Sequence, residues 1–443
     1  MKIAGLRLAT AGVAVGALVT MTACSSGLGG ASASSSAAGG GNGSGGTLTL
    51  LTDNAEATVS AAKAVVSAFE KANPGVTVKT QTRPGGTQGD NLVKTKLSTG
   101  EMEDVFWYNS GSLLQALNPS QTMVDLTGDP VMQNVDESFL PSVTQGGKVY
   151  GVPQGTAMGG GILYNKDVYS KLGLQIPKTW AEFETNNEKI KAAGITPVIE
   201  TFKAPDTWTS QLFVLADFYN VQVANPDFAK DYTANKVKYA TDPAAVKGFQ
   251  KLAEVQSKGY VNSNYGSASL VQGMKLLGTG KGAQYPMLTF PVGTLPKDQQ
   301  QKIGFFGIPG DDAAKAGATI WEPGAAYISK TSKNQALAKK FLAFMASPAG
   351  TDAYSQGSAP TGPYLIKGST LPADAPPVAQ DIQKYIDSKN VAPALEFLSP
   401  VKGPSLEQIT VAVGTGQTSP QQGAAQYDAD VTKEAKQLGL PGW

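Results

Sequence analysis

From residue 47 onward, short β-rich runs alternate with amphipathic helical runs, and this alternation narrows the possible folds more than any other feature of the chain. Residues 47–51 read as a strand. Val59, Ala62, Val66 and Phe69 follow at the spacing of one helix face, and Asn73-Pro74-Gly75 stops that helix. Residues 76–80 read as a second strand, and a strand–helix–strand unit favours parallel pairing through a crossover. The pattern recurs. Residues 104–108 and 161–164 read as buried strands. Thr179-Trp180-Ala181-Glu182 is a capping box, with Thr179 at the N-cap and Glu182 three residues on. Asp242-Pro243 opens a helix carrying Val246, Phe249 and Leu252 inward, and Gly259 ends it. Residues 332–335 open another, with Leu337, Phe341 and Phe344 on its inner face and a stop at Ser347-Pro348. No unit of solenoid length repeats. In 443 residues this pattern predicts an α/β protein of two lobes, each with its own core.

The first 46 residues read differently. Lys2 and Arg7 precede 16 uncharged residues, 8–23, fewer than the roughly 18–20 a spanning helix needs. Residues 1–23 are therefore expected to be an export signal. They end in Met21-Thr22-Ala23-Cys24, which resembles the lipobox of bacterial lipoproteins, although Met21 stands where Leu is usual. That resemblance implies that Cys24, the only cysteine, becomes the lipidated first residue of the mature chain. Residues 25–46 hold nine Gly, seven Ser and four Ala, the composition of a flexible tether. The expected location is the extracellular face of a bacterial cell membrane, with the body held by lipid and leash.

Composition removes several chemistries. The chain has no histidine, which excludes Ser-His-Asp and Cys-His nucleophile systems and His-ligated metals. One cysteine cannot form an intramolecular disulfide or a thiolate metal cluster. Lys and Arg total 36 against 35 Asp and Glu, with no basic block longer than two residues, so nucleic acid is excluded as a partner. Gly147-Lys148 and Gly280-Lys281 lack the Ser or Thr that a phosphate loop requires. Carboxylate groups at Glu101/Glu103/Asp104 and Asp311/Asp312 read as solvated charge. Neither a cofactor nor a metal is expected.

What remains is a set of aromatic and small polar residues at the ends of expected strands. Asp53-Asn54 follows the first strand, and Trp107-Tyr108 leads into Asn109. Thr207-Trp208-Thr209 and Trp321-Glu322 lie in comparable places. Open α/β sheets bind ligands beyond the carboxyl ends of their strands. Aromatic faces beside Asp, Asn and Glu suit a ligand with apolar faces and hydroxyl edges, namely a sugar. The residues alone imply an exported two-lobed binding protein.

Further motifs carry a resemblance. Val152-Pro153, Leu163-Tyr164-Asn165-Lys166-Asp167, Pro177-Lys178-Thr179-Trp180-Ala181-Glu182-Phe183 and Ala193-Gly194-Ile195-Thr196-Pro197 resemble the family 1 extracellular solute-binding proteins of ABC importers. Ala68-Phe69-Glu70-Lys71 and Ala338-Lys339-Lys340-Phe341-Leu342 support it. The resemblance implies a type II periplasmic-binding-protein fold, two lobes of mostly parallel sheet flanked by helices and joined by crossing segments. It implies a first lobe of residues 47–155 and 309–358 and a second of 156–308 and 359–443. Crossings are expected near 154–160, 303–310 and 358–362. The implied ligand residues are Asp53, Asn54, Trp107, Asn109, Asp206, Trp208, Thr289, Phe290, Trp321 and Glu322, with Lys402 where the family often has another aromatic. Thr289-Phe290 departs from the Gly-x-Trp of many members. Trp180 belongs to the packing framework. The implied protein is a monomer that carries a carbohydrate to permease transmembrane subunits and catalyses nothing. A polyamine, an amino acid derivative or a phosphorylated polyol stays open as the solute, as do a carboxylate-pair hydrolase and a sensing lipoprotein.

Overall fold

The structure is a computed structural model and describes residues 45–443; the export signal, Cys24 and all but the end of the tether lie outside the described residues. Among the described residues a short hairpin of residues 144–145 and 148–149 stands apart, and eleven strands form two main sheets. In chain order they are β1 (Gly46–Asp53), β2 (Val76–Arg83), β3 (Val105–Tyr108), β4 (Gly151–Pro153), β5 (Met158–Asn165), β6 (Thr196–Val198), β7 (Gly282–Leu288), β8 (Ile303–Phe306), β9 (Ala318–Trp321), β10 (Ala325–Ile328) and β11 (Val391–Pro393). The helices that matter below are α1 (Glu56–Ala72), α2 (Gly86–Thr99), α3 (Trp180–Ala192), α4 (Lys247–Ser257), α5 (Leu270–Gly278), α6 (Gln335–Met345), α7 (Pro348–Gly357), α8 (Pro377–Asp387), α9 (Leu395–Leu398), α10 (Leu406–Gly414) and α11 (Pro420–Gln437).

The first sheet has the order β2-β1-β3-β10-β4. β1 pairs in parallel with β2 and β3, and β10 runs antiparallel to β3 and β4. Leu48, Leu50 and Leu51 of β1 share a core with Ala62, Val65 and Phe69 of α1 and with Phe341, whose ring is edge-on to Phe69 at 5.0 Å. Each of the leucine, valine and phenylalanine side chains contributes about 1.5–3 kcal/mol by burial. Val59, read as part of the inner face of α1, is 37% exposed; the buried stripe runs through Ala61, Ala62, Val65, Val66 and Phe69. The stop at residues 73–75 forms as expected, with the Asn73 side chain donating to Phe69 O at 2.7 Å.

The second sheet has the order β11-β9-β5-β7-β6, with β8 also pairing β5. Its pairings are mixed: β5 runs antiparallel to β7, β8 and β9, whereas β6–β7 and β9–β11 are parallel. The expected mostly parallel sheets are thus mixed sheets, because β5 and β10, the strands that follow the first and second crossings, each run antiparallel to every strand they pair with. Cores lie on both faces of this sheet. One contains Phe183, Phe213, Phe249 and Tyr427, the other Tyr285, Met287, Phe305 and Ile382. The capping box at Thr179 is present and opens α3 at Trp180. Trp180 stacks on Phe183 at 4.8 Å and donates from Nε1 to Glu254 at 2.8 Å, a framework role.

The chain passes between the sheets from β4 to β5, from β9 to β10, and after α7. The first passage coincides with the expected crossing near 154–160. The third expected crossing, near 358–362, falls too early: Ile366 is still buried in the first core, with Asp136 N donating to Leu365 O and Lys367 N to Asn134 O, and the chain reaches the second sheet only at α8. The second is misplaced as well. Residues 303–306 form β8 inside the second sheet, and 318–321 form β9 in the same sheet, so the passage lies at residues 322–324. The stretch assigned to the first lobe from residue 309 therefore joins it only at β10. A four-residue buried strand carries no local sign of which sheet will take it.

Candidate ligand-binding cleft

β1, β2 and β3 all end at one edge of the first sheet, and their last residues open into a cavity of about 420 Å³ between the two sheets. Asp53 closes β1 opposite Arg83 of β2 in register. Its Oδ1 accepts from Ala55 N at 2.9 Å, which fixes the carboxylate at the rim. Asn109 and Ser110 follow β3, and Gly85, Gly86 and Thr87 begin α2 along the same wall. Gln154 and Thr156 from the first crossing and Glu322 to Gly324 from the second form the floor.

The opposite wall is aromatic. Trp208 sits in a 3-10 turn, Asp206–Gln211, and stacks on Phe290 with ring centroids 6.0 Å apart and planes 23° apart. Trp321 ends β9. Its indole lies on the backbone of β5 at Gly160, where a Cβ would stand 2.1 Å from the ring, so only glycine lets the two approach. Its Nε1 donates to Glu396, which also receives Lys402 Nζ at 3.2 Å. One ring face is thus backed by the sheet and one edge is fixed by a carboxylate.

The two walls touch at the mouth. Thr87 Oγ1 of α2 donates to Glu407 Oε1 of α10 at 2.9 Å, and Gly111 lies against Glu396 and Phe397. Several polar atoms of the walls are sealed from solvent without a hydrogen-bond partner, among them Arg83 Nε, Ser112 Oγ and Glu322 Oε2. Such atoms are costly unless something pairs with them. Burial, with the nearby Asp136 carboxylate, pushes Glu322 up to about 7. Burial also raises Asp90, against the opposing pull of Tyr108 and Arg83.

Six of the ten residues read from sequence line this cavity: Asp53, Asn109, Trp208, Phe290, Trp321 and Glu322, and Lys402 joins them. Four do not. Trp107 is 1% exposed and packs in the first core, because every residue of β3 is buried and Trp107 takes the face away from Arg83 and Tyr108. Asn54 is exposed outside the cavity. Asp206 accepts from Leu270 N at 2.9 Å and so holds the start of α5. Thr289 is fully buried and exchanges two hydrogen bonds with the backbone of Gly159, at 3.0 and 3.2 Å. Sequence reasoning missed Arg83, Gln154 and Glu396. Arg83 had a signal, since it directly precedes Pro84-Gly85-Gly86 at a strand end; Glu396, in a single-turn helix, had none.

Two α/β lobes joined by three crossings, with a polar and aromatic cavity at the joint, define a solute-binding protein that holds its ligand between lobes. The sequence pattern of the bacterial extracellular solute-binding proteins matches residues 53–352, and the chain belongs to that family. It is similar to the multiple sugar-binding protein of Streptococcus mutans, with 25% identity over 69% of this chain and 72% of that one. Among solved structures it is similar to a chitin oligosaccharide binding protein, with TM-score 0.76 and 23% identity over 89% of this chain and 100% of that chain. It is also similar to a sugar transporter protein of Bacillus licheniformis in complex with stachyose, with TM-score 0.71 and 16% identity over 87% and 99%. No described helix is long and apolar enough to cross a membrane.

Proposed function

We propose that this protein is the cell-surface substrate-binding component of an ABC importer, which captures a carbohydrate of more than one ring between its lobes and hands it to permease transmembrane subunits. The observation that carries the reading is the juxtaposition of two aromatic platforms, Trp208 with Phe290 and Trp321, with Asp53, Asn109 and Glu322 around one cavity of about 420 Å³. Apolar ring faces take the C–H faces of a sugar, and carboxylates and amides take its hydroxyl edges. The volume lies within the range of small-molecule sites and exceeds what one pyranose ring fills. The names of the relatives, a multiple sugar-binding protein and a chitin oligosaccharide binding protein, point the same way. In this reading Asp53, Asn109, Trp208, Phe290, Trp321 and Glu322 contact the ligand, no bond is broken, and a lipid on Cys24 holds a monomer at the outer face of the membrane.

Closure is stabilised only by contacts that the closed state makes better than the open one. Thr87 to Glu407 is one such contact. The test is a thermal-shift screen against mono- and oligosaccharides, polyamines and amino acids. At about 100 times its dissociation constant a ligand stabilises by roughly 2.7 kcal/mol, a rise of about 3 °C for a body of this size. A response confined to one class of oligosaccharide supports the reading, and a response to amines alone refutes it. The second outcome has its own basis, because six carboxylates and three cations line the cavity. It would make the solute a cation on the same fold.

A further inference from the structure

The sequence contains two arginines, and one of them, Arg7, lies in the export signal; Arg83 is the single arginine of the body, where every other cation is lysine. Its placement does not serve solubility, because it is 5% exposed at the end of β2 on the cavity wall. Its guanidinium lies over the Tyr108 ring, Cζ 5.2 Å from the centroid, and Nη1 donates to Pro84 O at 3.1 Å. At Gly89 a Cβ would stand 2.6 Å from Nη1, so α2 runs directly against the fork. The group is therefore held from three sides. Yet Nε is buried with no acceptor, and no carboxylate of the described residues lies within ion-pair distance of the guanidinium. Ser112 Oγ, on the same wall and 4% exposed, also lacks a partner.

A buried planar cation with idle donors at a cavity wall calls for a ligand that brings acceptors in pairs. Two chemistries bring paired oxygens, a carboxylate and two adjacent hydroxyls of a neutral ring. The charges decide between them. Six carboxylates and three cations line the cavity, and Asp53 stands opposite Arg83 in register with Asp90 beside it. An acidic ligand would meet this excess of negative charge in a poorly solvated space. A neutral ring would not, and its hydroxyl protons would find acceptors in Asp53 and Asp90.

We propose that Arg83 is a specificity-determining residue of the cleft, gripping two adjacent oxygens of a neutral sugar ring that Asp53 and Asp90 bind from the proton side, so that acidic sugars are rejected. The inference rests on the carbohydrate reading above. Calorimetry on the purified protein tests it with raffinose, stachyose, chitin oligosaccharides and digalacturonate as probes. Wild type is expected to bind a neutral probe, and digalacturonate at least about 10-fold more weakly. Arg83→Lys keeps the charge but loses the fork, and is expected to cost about 10- to 100-fold in affinity for the neutral probe. Monodeoxy analogues of the bound sugar check the same contact in unaltered protein, and removing one oxygen of the gripped pair is expected to cost about 10-fold. Neutral-sugar binding that survives Arg83→Lys within threefold, tighter binding of digalacturonate, or indifference to every deoxy position overturns the proposal alone. No binding of any neutral sugar overturns the carbohydrate reading and this proposal with it.

Discussion

Glu322 offers a quantitative test of the cleft's electrostatics that needs no ligand. Its carboxyl is largely buried at the second crossing, and among the described residues Oε2 has no partner and no cation pairs with it. The Asp136 carboxylate acts on it directly, and other titratable groups line the same cavity from other elements. Asp136 opens a 3-10 segment of the first lobe and is held ionised by Ser138, Asp53 ends β1, and Lys402 is engaged by Glu396. Burial, reinforced by Asp136, therefore lifts Glu322 from 4.5 to about 7. At about 1.4 kcal/mol per unit, the folded protein loses about 3 kcal/mol when this group is forced to ionise.

The sign follows from proton binding. Below pH 4.5 the group is neutral in both folded and unfolded chains and its contribution is fully present. Between pH 4.5 and about 7 only the unfolded chain has released the proton, so stability falls as pH rises, and the loss is complete above about 7. Glu322→Gln is uncharged at every pH and removes the dependence. Thermal unfolding of both proteins from pH 4.5 to 8 should give equal midpoints at the acid end. At pH 8 the variant should unfold about 3–4 °C higher, since a body of this size loses roughly 0.8 kcal/mol per degree near its midpoint. A difference between the two that does not change with pH refutes the reasoning.

Three further outcomes are expected. Gly160→Ala puts a methyl 2.1 Å from the Trp321 ring, so ligand affinity should fall at least about 10-fold in titration calorimetry while the far-ultraviolet spectrum is unchanged. Thr87→Val removes the donor to Glu407 across the mouth and should weaken ligand binding about three- to tenfold, mainly through faster release measured by stopped flow. Lys251→Met leaves Asp217 buried and unpaired where the two now meet at 2.6 Å. It should destabilise the second lobe by about 3–5 kcal/mol in denaturant titration, and a compensating Asp217→Leu should recover most of that.

Much of the fold was legible because its signals are local. The stop at Asn73-Pro74-Gly75, the capping box at Thr179 and the inward Phe249 and Leu252 each depend on residues within a turn or two. The second crossing was misplaced because sheet membership is a long-range property. β9 pairs with β5, about 160 residues away in sequence, and nothing within its four buried residues distinguishes it from β10. Of the candidate residues, Asp53 and Trp321, which end strands, and Asn109, which follows one, line the cavity. Other candidates lie away from the cavity where a neighbour claims the side chain: Trp107 by the core, Asp206 by the start of α5, Thr289 by Gly159. Strand-end position brings a residue near the cleft, but competing partners decide whether it faces in.

The corrected crossing also locates one of the joints on which closure would turn. Ser110 Oγ donates to Pro323 O at 2.8 Å, and Gln154 N donates to Gly324 O at 3.0 Å, which fixes residues 323 and 324 to the first lobe. Trp321 is fixed to the second lobe by its pairing with Met158 and its bond to Glu396. In this crossing Glu322 alone lies between the two anchorages, so the share of a lobe rotation that the second crossing absorbs falls on its backbone, beside the side chain that lines the cavity. Ser110→Ala releases one anchor and extends the joint by a residue. A pair of spectroscopic labels on α2 and α10 should then report a broader distance distribution in the unliganded protein, and an unchanged distribution would place the pivot elsewhere.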